Sequence, residues 1–180
     1  MTIDVKHYFP DNIDTTLRPM LIAHRTTSAP SYPLSHNQLG IWMWQQLAPE
    51  STAYNVGFTL HICSPVNVLV LRQAIQQIVE RHPSLRSIYQ TVDGQPRRFV
   101  RTVHELDFTL VDAVGWSSDQ LASTVQKVRS QPFDLAQQVI RARLYALDAE
   151  RSVLQVVMHH IAADGWSGAI LVEEVSQLYG

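Results

Sequence analysis

Two adjacent histidines near the end of the chain, His159 and His160, are followed four residues later by Asp164 and then by Gly165. They end an apolar stretch, VVM, that has the character of a buried strand. A histidine at a strand end is well placed for proton transfer near neutral pH. Side chains alternate between the two faces of a strand, so one imidazole can pack inside while the other faces a cleft. Gly165 leaves space where a substrate could pass close to the backbone.

Three interpretations are compatible with this spacing. The histidines could be a satisfied core pair, or with Asp164 they could bind a metal ion. The third is that one histidine acts as a general base or transition-state stabiliser in acyl transfer. The metal site is the weakest, because adjacent strand histidines diverge and no cysteine or carboxylate cluster accompanies them.

The elements that must position these residues follow from periodicity, caps and turn signals. A proline or a glycine lies at most of the boundaries between these elements, and Asp93-Gly94 is a strong hairpin signal. The predicted elements are a helix from Ser35 to Leu47, a strand over 53–62, a helix over 66–82, a hairpin around 93–94, a strand over 106–114, a helix over 117–130, a hairpin around 148–150 and a last helix from Asp164 to the end. Their order predicts an α+β sandwich rather than a doubly wound sheet.

Residues 1–33 differ from the rest, with four prolines and no sustained period. We expect them to be a leader or docking extension, with one helical turn over 15–23. The final helix carries an apolar stripe at Leu171, Val172, Val175 and Leu178, which needs a packing partner. Either the earlier sheet supplies that partner, or the chain is a fragment.

Composition excludes several classes of function. The 14 basic and 16 acidic residues give a net charge of −2, which offers no electrostatic case for nucleic acid or an anionic membrane. The single cysteine, Cys63, excludes an internal disulfide and suggests a reducing compartment. The first residues lack a secretory h-region, and no apolar run could span a bilayer, so a cytoplasmic location is expected.

Four segments together resemble one protein family. MHHIAADGWS (158–167) resembles the His-His-x-x-x-Asp-Gly motif of the condensation domains of non-ribosomal peptide synthetases. LSHNQLGIW (34–42), RHPSLRSIY (81–89) and PFDLAQQVIRARL (132–144) resemble three further motifs in the family's order. The departures are Gly40 in place of arginine, Tyr89 in place of the commoner phenylalanine, and Gln137-Gln138 where Gly-Pro is usual.

The resemblance implies a fold and a domain organisation. The fold would be the chloramphenicol-acetyltransferase-like two-layer α/β sandwich with a mixed sheet, forming one lobe of a pseudodimer. Residues 34–180 would be the N-terminal lobe of a condensation domain, and the missing C-terminal lobe would supply the other wall of the cleft. The isolated lobe should then be inactive, and residues 1–33 could dock onto an upstream synthase.

The resemblance also implies an activity. An upstream carrier protein would present an acyl or peptidyl thioester on phosphopantetheine, and a downstream carrier would present an aminoacyl group whose amine attacks it. No cofactor or metal would be bound directly by this chain. The segment QLAPESTAYNV (46–56) resembles condensation domains that take an acyl or polyketide donor, and Met1, if it is the natural start, would fit an initiating module. A free-standing acyltransferase that acylates an alcohol or amine, or a non-catalytic docking lobe, remains open.

The same resemblance assigns roles to individual residues. His160 would be the catalytic histidine, and His159 would be packed and structural. Asp164 would shape the turn through a salt bridge to Arg86, with Arg81 the lesser candidate. Gly165, Trp166 and Ser167 would line the tunnel for the pantetheine arm.

Overall fold

A computed structural model describes residues 31–102 and 104–180, which form seven strands and four helices. The helical turn expected over 15–23 lies outside the described residues. In chain order the elements are β1 (Ser31–Pro33), α1 (His36–Leu47), β2 (Asn55–Ile62), α2 (Val68–Arg81), β3 (Ser87–Val92), β4 (Gln95–Val100), β5 (Asp107–Asp112), α3 (Ser118–Arg129), β6 (Ile140–Ala146), β7 (Ser152–His159) and α4 (Gly165–Tyr179).

The strands form two sheets. The larger has the order β2-β7-β6-β5, in which only the β5–β6 pair is parallel. The smaller is antiparallel with the order β1-β4-β3. The predicted α+β fold with a mixed sheet is therefore confirmed. Strand β1 occupies the last three residues of the segment expected as a leader, and it pairs with β4.

Local sequence explains where the elements begin and turn. The helices α1 and α3 start with reciprocal capping boxes, in which Ser35 pairs with Gln38 and Ser117 with Gln120. Asp93 and Gly94 both have positive φ, 52° and 74°, and they connect β3 to β4 as a tight hairpin.

Strand β7 is the centre of the core, and it is buried on both faces. On one face Leu154, Val156 and Met158 pack against the apolar sides of α2 and α4. On the other face Val153 packs beneath α3, and Val157 packs against the segment that carries Phe133. The sheet thus separates a helical layer from the side on which the buried histidine lies.

The apolar stripe of α4 finds its partner within the chain. Leu171 and Val175 are buried in the core that α2 and the larger sheet form. Glu174 strengthens this contact, because its carboxylate accepts a hydrogen bond from His82 at 2.9 Å and lies 3.4 Å from the Arg81 guanidinium. Trp166 and Ile170, one turn apart on α4, are exposed.

One glycine is required by a close approach of two strands. A Cβ at Gly57 on β2 would lie 2.4 Å from the carbonyl oxygen of Val156 on β7, far inside contact distance. No helix in the described part of the chain is long and apolar enough to cross a membrane.

Candidate active site

The two histidines lie where β7 ends between its neighbours β2 and β6. The His159 N–H donates to the Val139 carbonyl at 2.9 Å, just before β6. The His160 N–H donates to the Tyr54 carbonyl at 2.8 Å, just before β2. The backbone of the pair is therefore fixed from both sides by the strands that flank it.

The two imidazoles have opposite environments. His159 is the last residue of β7 and is 1% exposed. His160 lies one residue beyond the strand, and its side chain is exposed, with its ring 6.4 Å from that of Tyr54 in an edge arrangement. The expected divergence of the two rings is confirmed, and of the two only His160 is open to solvent.

Hydrogen bonds fix the tautomer of His159. Its Nδ1 accepts the N–H of Ile161 at 3.2 Å, so that nitrogen carries no proton. Its Nε2 then donates to the Gln45 amide oxygen at 3.3 Å. Gln45 is oriented in turn, because its Nε2 donates to the Pro49 carbonyl at 2.7 Å. This assignment makes His159 a neutral imidazole with both nitrogens occupied.

The electrostatic environment agrees with a neutral His159. Burial, together with the nearby charge of His160, lowers the pKa of His159 from 6.5 to about 4. At neutral pH the buried ring therefore adds no positive charge beside His160.

Aromatic contacts hold the His159 ring in place. Phe133 meets it edge-on with a centroid distance of 6.0 Å, and Tyr54 lies at 6.2 Å. The buried Arg141 guanidinium stacks 3.7 Å from the Phe133 ring centroid and donates to the Pro132 carbonyl at 2.9 Å. The segment that starts at Pro132 thus helps to fix the orientation of the His159 ring.

The loop after His160 is held at its first peptide group. Ile161 gives its N–H to His159, and its carbonyl accepts from Gln38 Nε2 at 3.1 Å and from the Tyr89 hydroxyl at 3.3 Å. Two distant elements, α1 and β3, therefore reach the residue next to His160.

The predicted salt bridge of Asp164 to Arg86 or Arg81 is wrong. Asp164 instead caps α4: its Oδ1 accepts the Ser167 N–H at 2.8 Å and the Ser167 hydroxyl at 2.7 Å. These two bonds, above all the one from the backbone, lower the pKa of the Asp164 carboxyl. An exposed carboxylate at a helix start is satisfied by the free N–H groups there and needs no arginine.

The two arginines lie elsewhere. The Arg86 guanidinium donates to the carbonyls of Glu80 and Arg101, so it joins the end of α2 to the chain that follows β4. Arg81 pairs with Glu174 of α4. Both stabilise contacts between elements, and neither bonds to the loop that carries His160.

The other predicted site residues surround the start of α4. Gly165 and Asp164 border a groove between β2 and α4 whose other walls are apolar, and a Cβ at Gly165 would meet no atom within 4 Å. Trp166 is 76% exposed. Ser167 closes the capping box with Asp164.

Sequence reasoning missed three side chains around the buried histidine, those of Gln45, Tyr54 and Phe133. The sequence signal for Gln45 was weak: it is a polar amide side chain on a helix whose adjacent turns carry apolar side chains.

Within residues 31–102 and 104–180, no three histidine, cysteine or acidic side chains are grouped as metal ligands would be.

Comparisons with known proteins all match the chain to one protein family. A model of the family described as "Condensation domain" matches residues 28–180. The chain is 34% identical over 165 residues to an isonitrile lipopeptide synthase of Mycobacterium tuberculosis (strain ATCC 25618 / H37Rv), covering 90% of this chain and 6% of that protein. It is 35% identical over 150 residues to surfactin synthase subunit 2 of Bacillus subtilis (strain 168), covering 82% of this chain and 4% of that protein.

Solved structures share the fold. The starter condensation domain of rhizomide synthetase matches with a TM-score of 0.77 at 24% identity, over 83% of this chain and 39% of that one. The chain thus spans only a small part of the curated relatives and well under half of this solved domain.

Proposed function

This chain belongs to the condensation domain family, and we propose that it contributes the catalytic histidine for amide-bond formation between two carrier-bound substrates. The donor is an acyl or peptidyl thioester, and the acceptor is an aminoacyl group. The names of the relatives as lipopeptide and surfactin synthases support this substrate class.

The observation that carries the proposal is the exposed imidazole of His160 on a backbone fixed by the Tyr54 carbonyl and by the loop that starts at Ile161. A group held in this way can accept a proton or orient a nucleophile without losing further conformational freedom. Because His159 is neutral, it does not oppose a positive charge that develops on His160 during the reaction.

The proposed reaction balances as a simple acyl transfer. The acceptor amine nitrogen attacks the thioester carbonyl carbon, the C–N bond forms and the C–S bond breaks. His160 accepts the amine proton and returns it to the departing sulfur, or it orients the amine while the proton moves directly to that sulfur. The products are the amide on the acceptor carrier and the free thiol on the donor carrier.

The domain organisation is part of the same proposal. Residues 34–180 are the N-terminal lobe, and a C-terminal lobe in the longer protein completes the cleft, so the isolated lobe is inactive. Of residues 1–33, the part that precedes β1 docks onto an upstream synthase, since β1 itself pairs with β4 of the lobe. Both phosphopantetheine arms belong to the carrier proteins, and the path of one arm runs past Gly165, Trp166 and Ser167 at the start of α4.

The test uses the complete condensation domain of the longer protein with a donor and an acceptor carrier, each loaded chemically. Mass spectrometry of the acceptor carrier should show the mass of the donor acyl group added after a single turnover. Transfer to a free alcohol or amine from coenzyme A, with none to the acceptor carrier, would contradict the proposal and favour a free-standing acyltransferase. No transfer to any acceptor would favour a docking lobe.

A further inference from the structure

We propose that the hydroxyl group of Tyr89 is a positioning group for His160, acting through the carbonyl of Ile161. This inference rests on the proposed function of His160 and adds a residue to it. In the motif that residues 81–89 resemble, phenylalanine is commoner at this position, and it has no hydroxyl group.

The Tyr89 hydroxyl belongs to a partly buried group of three polar side-chain and backbone atoms that bond to one another. It donates to the Ile161 carbonyl at 3.3 Å, and Gln38 Nε2 lies 3.1 Å from that carbonyl and 3.3 Å from the hydroxyl. Tyr89 is 2% exposed, and its own N–H donates to the Leu135 carbonyl at 2.9 Å. The hydroxyl is therefore held by a fixed side chain on a fixed backbone.

The second donor is anchored just as firmly. The Gln38 amide oxygen accepts the Ser35 N–H at 3.2 Å as part of the capping box that starts α1. The amide nitrogen is thereby directed away from the cap and toward Ile161. Two rigid elements, the start of α1 and the middle of β3, converge on one carbonyl oxygen.

That carbonyl belongs to the residue directly after His160. The Ile161 N–H is taken by His159 Nδ1, and the His160 N–H is taken by the Tyr54 carbonyl. With the Ile161 carbonyl held as well, the backbone on both sides of His160 has little freedom. A displacement of about 1 Å at a reacting group can lower a rate roughly a hundredfold, so such anchoring affects chemistry.

The hydroxyl remains a donor under all ordinary conditions. Burial raises the pKa of Tyr89 to about 12, and the smaller opposing effect of the Arg98 charge does not reverse this. Removing the hydroxyl leaves Gln38 as the remaining donor to Ile161, so the expected effect is partial.

The test is Tyr89→Phe in the complete domain, with both carriers saturating. We expect the single-turnover rate to fall about three- to tenfold, the usual effect of one neutral hydrogen bond. Carrier affinity and the apparent pKa of the rate profile should stay unchanged, because the hydroxyl neither contacts a carrier nor changes charge. Gln38→Glu is the second variant: it keeps an acceptor for the Ser35 N–H and removes the donor to Ile161.

Tyr145→Phe is the matched control. Tyr145 is equally buried, and its hydroxyl donates to Gln155 Oε1 at 2.8 Å on the part of the sheet beneath α3. This variant should lose thermal stability and keep the wild-type single-turnover rate. The contrast separates the loss of a buried hydroxyl from the loss of positioning.

The outcomes distinguish this inference from the proposed function. If His160→Ala abolishes transfer while Tyr89→Phe and Gln38→Glu keep the wild-type rate, the positioning role is wrong and the function stands. If Tyr145→Phe slows the chemistry as much as Tyr89→Phe, or if Tyr89→Phe changes only carrier affinity, the positioning role is also wrong. If His160→Ala itself has no effect, the proposed function fails.

Discussion

His159 and His160 are neighbours in the chain, yet one imidazole is enclosed in the core and the other is open to solvent. The buried ring uses both nitrogens, accepting from the Ile161 N–H and donating to Gln45. The exposed ring has a backbone fixed by its neighbours and a side chain free to meet a substrate. Because their environments differ, substitutions of the two histidines should have opposite effects on stability and on catalysis.

His160→Ala in the complete domain should lower the single-turnover rate of amide formation by roughly a hundred- to ten-thousandfold, the usual effect of a general acid–base group. The melting temperature should change little, because the side chain is exposed. Product on the acceptor carrier is measured by mass spectrometry, with thermal unfolding alongside. A folded variant that condenses at the wild-type rate would show that His160 is not catalytic.

The buried histidine should make stability depend on pH. The pKa of His159 is about 4 in the folded chain against 6.5 when exposed, so the unfolded state binds more protons between these values. The free energy of unfolding should therefore fall as the pH decreases from 6.5 to 4, by up to about 3 kcal/mol. Chemical denaturation at several pH values measures the slope.

Two histidine variants test that assignment. His159→Gln should reduce the slope between pH 4 and 6.5, because one of its titrating groups is gone; burial also lowers the pKa of His104, which contributes to the remaining slope. His61→Gln, which replaces an exposed histidine on β2, should leave the slope as in the wild type. An unchanged slope in His159→Gln would mean that another group is responsible.

Asp164 should behave as a helix cap and not as half of an ion pair. Asp164→Ala removes the acceptor for the Ser167 N–H and should lower the free energy of unfolding, whereas Asp164→Asn and Asp164→Ser should retain most of it. Ser117→Ala at the start of α3 is the comparison, since it breaks the same type of capping box. The measurement is urea denaturation at two salt concentrations. A loss that disappears in high salt would indicate an ion pair after all.

Gly57 and Gly40 should respond oppositely to alanine. At Gly57 the added Cβ would lie 2.4 Å from a backbone carbonyl of β7, so Gly57→Ala should destabilise the chain by about 1–3 kcal/mol. At Gly40, inside α1, no atom lies within 4 Å of the added Cβ, and the variant should gain about 0.5–1 kcal/mol from helix propensity. Equal effects at the two positions would contradict the close approach of β2 to β7.

Local patterns in the sequence determined most of the elements. The helix that starts at Ser35, the hairpin at Asp93-Gly94 and the strand that ends at the histidines all depend on near neighbours in the chain: a cap, a turn or an alternating face. The cap at Asp164 was available from the same kind of signal, because an aspartate directly before a helix is a strong N-cap. The resemblance to the family implied an ion pair of Asp164 with an arginine instead, and the structure shows that this prediction is wrong.

Only the tertiary structure decided which side chains bond to His159 and to the loop after His160. Gln45 lies 114 residues before His159, and Tyr89 lies 72 residues before Ile161, so no local pattern links them. Alternation along a strand predicts that two adjacent rings diverge, but it does not say which one enters the core. That choice depends on α1, β3 and the segment around Phe133, which cover one face of β7, enclose His159 and leave His160 at the open end of the strand.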